Sequence, residues 1–418
     1  MPLVVFEDPD VTRLYPVTTG RPAFAITCGG YRLIDLLPSV DPSVTAVVRP
    51  HLSAVLEADF PTVRVGSPGP MDSSTVVLLV NARAVPSVAV LEVLRDLFRA
   101  GRTGVVRTGE RVAAALVPPQ MLPPSGALPA EGLTSFLSGL ELDEMPVTIP
   151  LFEYPHDVLR HHLVVTAQNL EHRIAAGGLR EVADGVFAAE GASLGQYVVT
   201  DTAAGPILLD SGAAIGCHSL LRGPLYVGPQ ARVLEHAAIK DCVALGHTTK
   251  IGGEVEASII EPYTNKQHHG FLGHSYLGSW INLGAGTCNS DLKNTYGTVN
   301  MDYADRKIPT EMQFVGVLMG DYAKSAINTG FFTGKTVGVC SMVYGFVTTN
   351  VPSFVNYARL FGQVTAAPVE VMVSTQARMF ARRGVTQRPC DIQLVHDMYE
   401  LTRHERELGS VPLEPLSL

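Results

Sequence analysis

The sequence has few charged residues and no long apolar run, and these two absences argue against some classes of protein. Charged residues make up 17% of the 418 positions, and the formal net charge is −9. A nucleic-acid surface needs clustered Lys and Arg, so this balance argues against a nucleic-acid-binding protein. No run of about 18 apolar residues occurs, which argues against a membrane-spanning segment. The opening "MPLVVFEDPD" carries acid where a signal peptide carries base, so we expect a cytoplasmic protein.

The six cysteines lie far apart, and no CxxC pair occurs among them. Closely spaced cysteines are typical of zinc sites and redox centres. We therefore interpret the cysteines as reduced and mostly buried thiols, and the sequence spacing predicts no metal site.

Aliphatic residues recur at every sixth position in the middle of the chain. They are Ile215, Leu221, Val227, Val233, Ile239, Leu245 and Ile251. A helix would give spacings of three and four, and an ordinary strand would give a spacing of two. A period of six is typical of a parallel β-helix, in which each short strand buries one aliphatic residue against its neighbouring coils.

The period of six breaks twice, and the breaks are rich in polar residues. The first break follows Ala257, the second begins at Thr287, and a less regular run of the period extends from Met319 to Val343. Residues 265–294, "NKQHHGFLGHSYLGSWINLGAGTCNSDLKN", cluster His, Asn, Lys and Gly at these breaks. We expect two loops fastened to a rigid coil, and a functional site there in preference to a simple turn.

The flanks of the repeat predict further structure. Short apolar runs alternate with a helical pattern at "PSVAVLEVLRDLFRAG", which predicts an α/β domain with a largely parallel sheet. The proline-rich "LVPPQMLPPSGALPAEG" is interpreted as a surface loop, and the pattern from Tyr154 to Gly178 predicts a long amphipathic helix. Two more helical patterns follow Val369. The predicted segments are an α/β domain at 1–150, a linker helix at 151–180, the coil at 181–365 and a helical tail at 366–418.

Several motifs outside the hexads carry a family resemblance. They include "LLVNARAV", "EYPHDVLRHH", "GPLYVGP", "GGEVEASII" and above all residues 265–294, where Leu272, Leu277 and Leu283 stand five and then six apart. On these motifs the chain resembles the bifunctional sugar-nucleotide enzymes of the GlmU type, in a shortened bacterial branch. The resemblance implies a nucleotidyltransferase-like α/β domain, a left-handed parallel β-helix of hexapeptide repeats with acyltransferase activity, C-terminal helices and a homotrimer.

The resemblance also implies an acyl-transfer site in the coil. His268 matches the catalytic base, which takes a proton from the amine of an amino sugar as the amine attacks acetyl-coenzyme A. Asn282 and Asn289 match active-site asparagines that bind the acceptor, and Ala285 matches a residue at the coenzyme A cleft. Lys293 matches a lysine that contacts the sugar phosphate.

Two positions depart from the family pattern. Phe271 stands where the family has an acceptor-binding tyrosine, and Ser258 stands near an expected phosphate-binding lysine. Both departures leave the identity of the acceptor open. We interpret His269 and His274 as residues of a surface turn and a coil corner, and not as metal ligands.

The α/β domain departs further, because it has no clean glycine-rich phosphate loop. Arg21 is our candidate for a phosphate contact there, with Arg32 and Asp35 as lesser candidates. Asn81 ends an apolar run where such enzymes often keep a magnesium-binding aspartate. An amide is a poorer Mg²⁺ ligand than a carboxylate, so this domain either binds Mg²⁺ differently or serves binding or structure.

Three functions remain open from the sequence. The leading hypothesis is acyl transfer from acetyl-coenzyme A to an amino-sugar 1-phosphate in the coil. The second is transfer of a nucleotide from a nucleoside triphosphate to a sugar 1-phosphate in the α/β domain. The third is a catalytically degenerate scaffold.

Overall fold

A computed structural model describes residues 2–66, 76–118, 121, 135–137, 139, 141–303, 306–414 and 416. The chain divides into two units. The first comprises Met1–Leu14, Arg21–Ile26 and Tyr31–Tyr154, and the second comprises Tyr15–Gly20, Thr27–Gly30 and Pro155–Leu418. None of the helices in these described ranges is both long enough and apolar enough to cross a membrane.

The first unit is built on a six-stranded sheet. Its strands are β1 (Leu3–Phe6), β2 (Val44–Val47), β3 (Arg64–Val65), β4 (Val77–Asn81), β5 (Gly104–Thr108) and β6 (Arg111–Val117). Their order is β3-β2-β1-β4-β6-β5, in which the first four are parallel and β6 is antiparallel to both neighbours. Every residue of β1, β2 and β4 is buried, as expected of parallel strands covered on both faces. The predicted largely parallel sheet is confirmed.

Short helices connect the strands of the first unit. The α-helices are Leu33–Leu36, Ser53–Asp59 and Val88–Ala100, and 3-10 turns cover Pro9–Leu14, Ala23–Ala25, Leu37–Ser39 and Pro50–Leu52. The predicted helix at Val88–Ala100 begins where the Ser87 side chain accepts a hydrogen bond from the amide of Val90. It ends at Gly101, which adopts a left-handed φ of 59°. Most of the proline-rich stretch lies outside the described residues.

The second unit contains a helix, Pro155–Ala175, followed by a parallel β-helix with three faces. Face 1 consists of Arg180–Ala183, Val186–Ala188, Ile207–Leu209, Leu225–Val227, Val243–Leu245, Ile259–Ile260, Tyr276–Leu277, Val317–Met319 and Lys335–Val337. Face 2 consists of Ser193–Leu194, Ala214–Ile215, Arg232–Val233, Lys250–Ile251, Asn265–Lys266, Asn282–Leu283, Lys324–Ser325, Met342–Val343, Val355–Ala358 and Gln363–Ala366. Face 3 consists of Val199–Asp201, Leu220–Arg222, Ala238–Lys240, Glu254–Glu256 and Phe271–Gly273, and a further ladder of Cys288–Asn289, Gly330–Phe331 and Phe346–Val347 stacks beyond them.

The aliphatic hexads form the core of the β-helix. All seven residues of the uninterrupted run are buried, and they pack in one continuous hydrophobic cluster. Leu209 pairs in register with Val227, and Val227 pairs with Leu245. One complete coil therefore corresponds to three hexads, one for each face. The predicted fold class, an α/β nucleotidyltransferase-like domain with a left-handed parallel β-helix and C-terminal helices, is confirmed.

The first break in the hexads is not a loop, and the expectation of two loops is wrong. Strands Ile259–Ile260 and Asn265–Lys266 continue faces 1 and 2 without interruption. The coil is only shortened, because Ile251 pairs with Lys266 before three full hexads have passed, which shifts the period without ending the stacking. The second break is a true insertion, since Leu277 pairs with Met319. It contains an antiparallel hairpin of Asn300–Tyr303 and Arg306–Pro309.

Three helices close the second unit, at Val369–Arg382, Pro389–Leu401 and Arg403–Leu408. The first packs on the coil through a stack of Phe380 on Trp280, with ring centroids 4.4 Å apart. The pattern from Asp391 to Gly409 predicted one helix, and the structure divides it at Thr402, whose hydroxyl is buried and donates to the Met398 carbonyl.

Candidate functional site

The corner between faces 2 and 3 presents His268 on the surface of the coil. Asn265 pairs with Asn282 in the next coil, and Gly286 donates its amide to the His269 carbonyl. The same register places Ala285 one coil above His268. The imidazole is exposed and has no hydrogen-bond partner within the described residues. The register therefore brings His268, Ala285 and Asn282 into neighbouring positions at one corner.

A buried lysine supports this corner from inside the coil. Lys266 occupies an inward position that pairs with Ile251, and only 2% of its surface is exposed. Its ammonium donates to the Gly252 carbonyl at 2.8 Å and to the His268 carbonyl at 2.9 Å. A Cβ added at Gly253 would lie 2.8 Å from the ammonium, so the glycine leaves space for it. Burial lowers the pKa of Lys266 to about 8.

The side chains of Asn282 and Asn289 have different environments. Asn282 is half-buried on face 2, where its carbonyl oxygen lies 3.5 Å from the amide of Asn265. Asn289 is 5% exposed, and its amide bonds both the N–H and the C=O of Gly273, at 2.9 and 3.0 Å. Asn282 is thus available at the surface, whereas Asn289 fixes the strand that carries Phe271.

The two departures from the family pattern lie on face 3 and at the turn that follows it. Phe271 is half-buried and pairs with Glu254 in the coil below. Ser258 is fully buried, and its hydroxyl donates to the Glu256 carbonyl at 2.6 Å, so this side chain bonds within the coil. The nearby Lys240 is held between Glu254 and Glu256 by ion pairs of 2.8 and 3.2 Å.

A cavity of about 740 Å³ lies beside Cys288 and Asn289 on face 3. Three lysines line it: Lys293, Lys307 and Lys335. Its wall includes the aromatic side chains of Phe332 and Phe346, and each is about half exposed. Burial lowers the pKa of Lys335, and the charge of Lys307 lowers it further while Asp302 opposes the shift. The predicted phosphate contact, Lys293, therefore lies in a cavity with excess positive charge.

The structure also pairs His274 with Asp291, which the sequence analysis did not anticipate. Nδ1 of His274 lies 2.9 Å from the Asp291 carboxylate, and Phe314 stacks on the imidazole with centroids 5.0 Å apart. Asp291 and Phe314 stand at the two ends of the insertion, so the pair fastens its base to the coil. His274 and Asp291 are separated by the same coil interval as Asn265 and Asn282, and this interval is the signal that could have identified the pair.

The carboxyl ends of β1, β2 and β4 carry a buried ion-pair network. Glu7 accepts from Arg49 at 3.0 Å, and Asp8 accepts from Arg83 at 2.8 and 2.6 Å. The Asn81 amide donates to Asp8 at 2.8 Å and accepts from the Arg83 amide at 3.0 Å. A ligand would normally bind at these strand ends, but here the carboxylates already form ion pairs with guanidinium groups.

These residues do not fit a magnesium site. Asp8 and Asn81 direct their oxygens toward Arg83, which is fully buried, and no cluster of three or more metal-ligating side chains occurs in the described part of the chain. The cavity beside Asp8 and Asp10 measures about 190 Å³, less than the roughly 300 Å³ typical of a small-molecule site.

The other candidates of the first unit are Arg21, which touches this network through its backbone, and Arg32 with Asp35. Arg21 is half-buried, and its carbonyl accepts from Arg49 at 2.9 Å. Arg32 and Asp35 form an ion pair of 2.6 Å with each other at the start of a helix. The two lesser candidates for a phosphate contact are therefore paired with each other.

Gly29, in the region where the family has its phosphate loop, serves packing in the second unit. A Cβ on Gly29 would lie 2.6 Å from the side chains of Val165 and Asn169. The Gly29 amide donates to Nδ1 of His162 at 2.9 Å, while Nε2 of His162 lies 2.7 Å from the Cys242 carbonyl. Burial lowers the pKa of His162 to about 4, so the ring is neutral and joins these two segments.

Comparison with known proteins finds similarity over parts of the chain. Residues 3–171 match the family model described as sugar nucleotidyl transferase. The bifunctional protein GlmU of Bartonella quintana is 31% identical over 146 residues, which cover 33% of this chain and 31% of that protein. GlmU of Methanocaldococcus jannaschii is 29% identical over 111 residues, which cover 27% of this chain and 26% of that protein. The chain thus spans about a quarter to a third of the length of these curated relatives.

Among solved structures, the UDP-N-acetylglucosamine acyltransferase of Francisella novicida aligns with a TM-score of 0.32 at 16% identity, covering 54% of this chain and 76% of that chain. The family model and the curated relatives agree with the resemblance that the sequence motifs indicated. Residues 3–171 are thus similar to sugar nucleotidyl transferases, and the chain is similar to these GlmU proteins over about a quarter to a third of its length.

Proposed function

We propose that the coil transfers an acyl group from acetyl-coenzyme A to the amine of a phosphorylated amino sugar. The observation that supports this most is the corner itself, where His268 is exposed beside Ala285 and Asn282. A buried ammonium on the His268 carbonyl holds that corner in place. The described residues of the first unit offer no comparable group, because the carboxylates at the strand ends are paired with arginines.

In the proposed reaction the amine nitrogen attacks the thioester carbonyl carbon, and a C–N bond replaces the C–S bond. The imidazole of His268 accepts the proton that the amine loses, and the thiolate leaves with a proton from solvent or from the imidazolium. The small side chain of Ala285 would let the thioester approach the corner. Asn282 would orient the acceptor through its amide.

The cavity beside Cys288 is our proposal for the acceptor site. A phosphate carries up to two negative charges, and Lys293, Lys307 and Lys335 together supply the compensating charge. Phe271, which has no hydroxyl, would contribute an apolar contact to the sugar where the family uses a tyrosine. Asn289 would act through Gly273, by fixing the strand beside the cavity.

The replacement of His268 by alanine tests the proposal. Thiol release from acetyl-coenzyme A with glucosamine 1-phosphate should fall about 100-fold or more in kcat, since general bases typically contribute that much. The matched control is His269→Ala, an adjacent exposed residue on the same corner that the proposal does not use. Equal turnover in both variants and the wild type would remove His268 from the mechanism.

A second candidate is nucleotidyl transfer by the first unit, with Arg21 contacting a phosphate. The match of residues 3–171 to a sugar nucleotidyltransferase model favours it. The absence of a fitting Mg²⁺ site among Asp8, Asn81 and Arg83 argues against it. Pyrophosphate release from a panel of nucleoside triphosphates and sugar 1-phosphates decides the question, and silence throughout would exclude this activity for the substrates tested.

We also propose that the chain forms a homotrimer, as coils of this type commonly do. Large apolar side chains are exposed along the coil at Val199, Ile327, Phe332 and Phe346. Such residues are expected at contacts between subunits.

A scaffold without activity is the remaining alternative for the function of the chain. Failure to bind both acetyl-coenzyme A and sugar phosphates would favour it.

A further inference from the structure

A column of outward side chains on face 2 has positive charge without a matching carboxylate. The register stacks Arg232 on Lys250, Lys250 on Asn265 and Asn265 on Asn282. The neighbouring residues Val233 and Ile251 point inward and are buried, so the column itself faces outward. We call Arg232, Lys250, Asn265 and Asn282 the basic column.

The C-terminal helix Val369–Arg382 adds two more cations to the basic column. The Arg383 guanidinium donates to the side-chain oxygen of Asn265, and Arg382 precedes it at the end of the helix. Besides burial, the charges of Arg383, Arg232 and Arg382 lower the pKa of Lys250, so these groups are close enough to repel one another. Four cations thus converge on one part of the coil.

Two other cations on the outside of the coil, Lys240 and Arg222, are neutralised, which distinguishes them from this group. Lys240 pairs with Glu254 and Glu256, and Arg222 lies within ion-pair distance of Asp201 and Asp241. In contrast, no carboxylate of the described residues lies within ion-pair distance of Arg232, Lys250, Arg382 or Arg383. Like charges held together without a counter-ion cost free energy, and a bound anion would remove that cost.

We propose that the basic column, with Arg382 and Arg383, binds a diphosphate group. Neighbouring strands lie about 4.8 Å apart, so Arg232 and Lys250 stand at a spacing that suits the oxygens of two linked phosphates. The amides of Asn265 and Asn282 continue the column toward the corner that carries His268. A ligand anchored by its diphosphate at Lys250 would extend along face 2 to that corner.

The use of this site in a reaction at His268 rests on the proposed function, whereas the binding of an anion by the basic column does not. Both a coenzyme A thioester and a nucleotide carry a diphosphate, and the chemistry of the column is the same for either. The acceptor of the proposed reaction carries a monophosphate and is assigned to the cavity beside Cys288. Two anion sites on the two sides of one corner suit a reaction between two phosphorylated substrates.

Titration calorimetry of the full chain with inorganic pyrophosphate tests the site. Lys250→Met should weaken pyrophosphate binding about tenfold or more, the usual effect of losing one charge-assisted contact, and added salt should weaken binding to the wild type. Lys240→Met is the matched control, because it removes a coil lysine that two glutamates already neutralise, and its affinity should be unchanged. Arg232→Met provides a second variant at an exposed position if Lys250→Met does not fold.

Coenzyme A, UDP and glucosamine 1-phosphate are titrated in parallel to identify the source of the diphosphate. The ligand whose affinity falls in Lys250→Met and not in Lys240→Met is the one held by the basic column. Equal pyrophosphate affinity in both variants and the wild type, or no pyrophosphate binding at all, would overturn the proposal. If pyrophosphate binds through Lys250 while the wild type transfers no acyl group, the anion site stands and the proposed function fails.

Discussion

Replacing Lys266 with methionine removes an ammonium group from the interior of the coil. Burial lowers the pKa of this lysine from its ordinary 10.5 to about 8 in the folded protein. Each unit of pKa corresponds to about 1.4 kcal/mol, so the buried charge costs about 3 kcal/mol of stability below pH 8. In the unfolded chain Lys266 keeps its proton up to a higher pH than in the folded chain. The contribution of Lys266 to the free energy of unfolding therefore rises with pH between about 8 and 10.5.

Two opposing effects set the stability of Lys266→Met at neutral pH. The variant removes the cost of the buried charge, but it leaves the carbonyls of Gly252 and His268 without this donor. An unpaired buried polar group costs about 1–3 kcal/mol, so the two effects nearly cancel at pH 7. As the pH rises, the wild type gains about 3 kcal/mol that the variant does not gain. The pH dependence is therefore more informative than stability at one pH.

The free energy of unfolding in urea, measured from pH 7.5 to 10.5 at one protein concentration, tests this reasoning. The difference between the wild type and Lys266→Met should change by about 3 kcal/mol over that range, in favour of the wild type at high pH. Lys307→Met removes an exposed lysine and controls for the loss of one positive charge. Parallel curves for the wild type and Lys266→Met would show that this lysine does not carry a buried charge.

Two other properties of the coil can be tested in the same preparations. Asn289→Ala should lower the free energy of unfolding, measured in urea, by about 1–3 kcal/mol, because the Gly273 N–H loses its acceptor while the Gly273 carbonyl keeps the Ser275 hydroxyl. A role of Asn289 limited to substrate binding would leave stability unchanged. Light scattering should return three times the chain mass of 44.7 kDa, and a monomer mass would contradict the proposed trimer.

Most of the coil could be predicted because its period is set by local packing. Each inward aliphatic residue, such as Val227 or Leu245, must be buried by its neighbours, so the hexad appears directly in the sequence. The shortened coil was missed because Lys266 occupies an inward position. A lysine at a core position hides the period, and only the stacking of Lys266 on Ile251 reveals that the strand continues.

The arrangement of the candidate site was harder to predict than its residues. The family resemblance suggested His268, Asn282 and Ala285, and the register of Asn265 with Asn282 places these three near one another. No sequence pattern indicated that Asn289 bonds Gly273, and the pairing of His274 with Asp291 is visible only in the coil interval that separates them. Such pairings depend on the length of each coil, and that length differs from one coil to the next.

The environment of the strand ends in the first unit is set by residues that are distant in sequence. Asn81 was correctly expected at the end of an apolar strand, but its environment is set by Asp8 and Arg83. The sequence showed no clean glycine-rich phosphate loop, but it did not show that Gly29 packs against Val165 and Asn169. Long-range packing of this kind leaves no local periodic signal.

A crystal structure after soaking with acetyl-coenzyme A and an amino-sugar phosphate would show whether the coil is the acyl-transfer site. We expect the thioester carbonyl beside the imidazole of His268, with the acceptor phosphate among Lys293, Lys307 and Lys335. Coenzyme A bound away from the corner of residues 267–270, or an acceptor held in the first unit, would contradict this expectation.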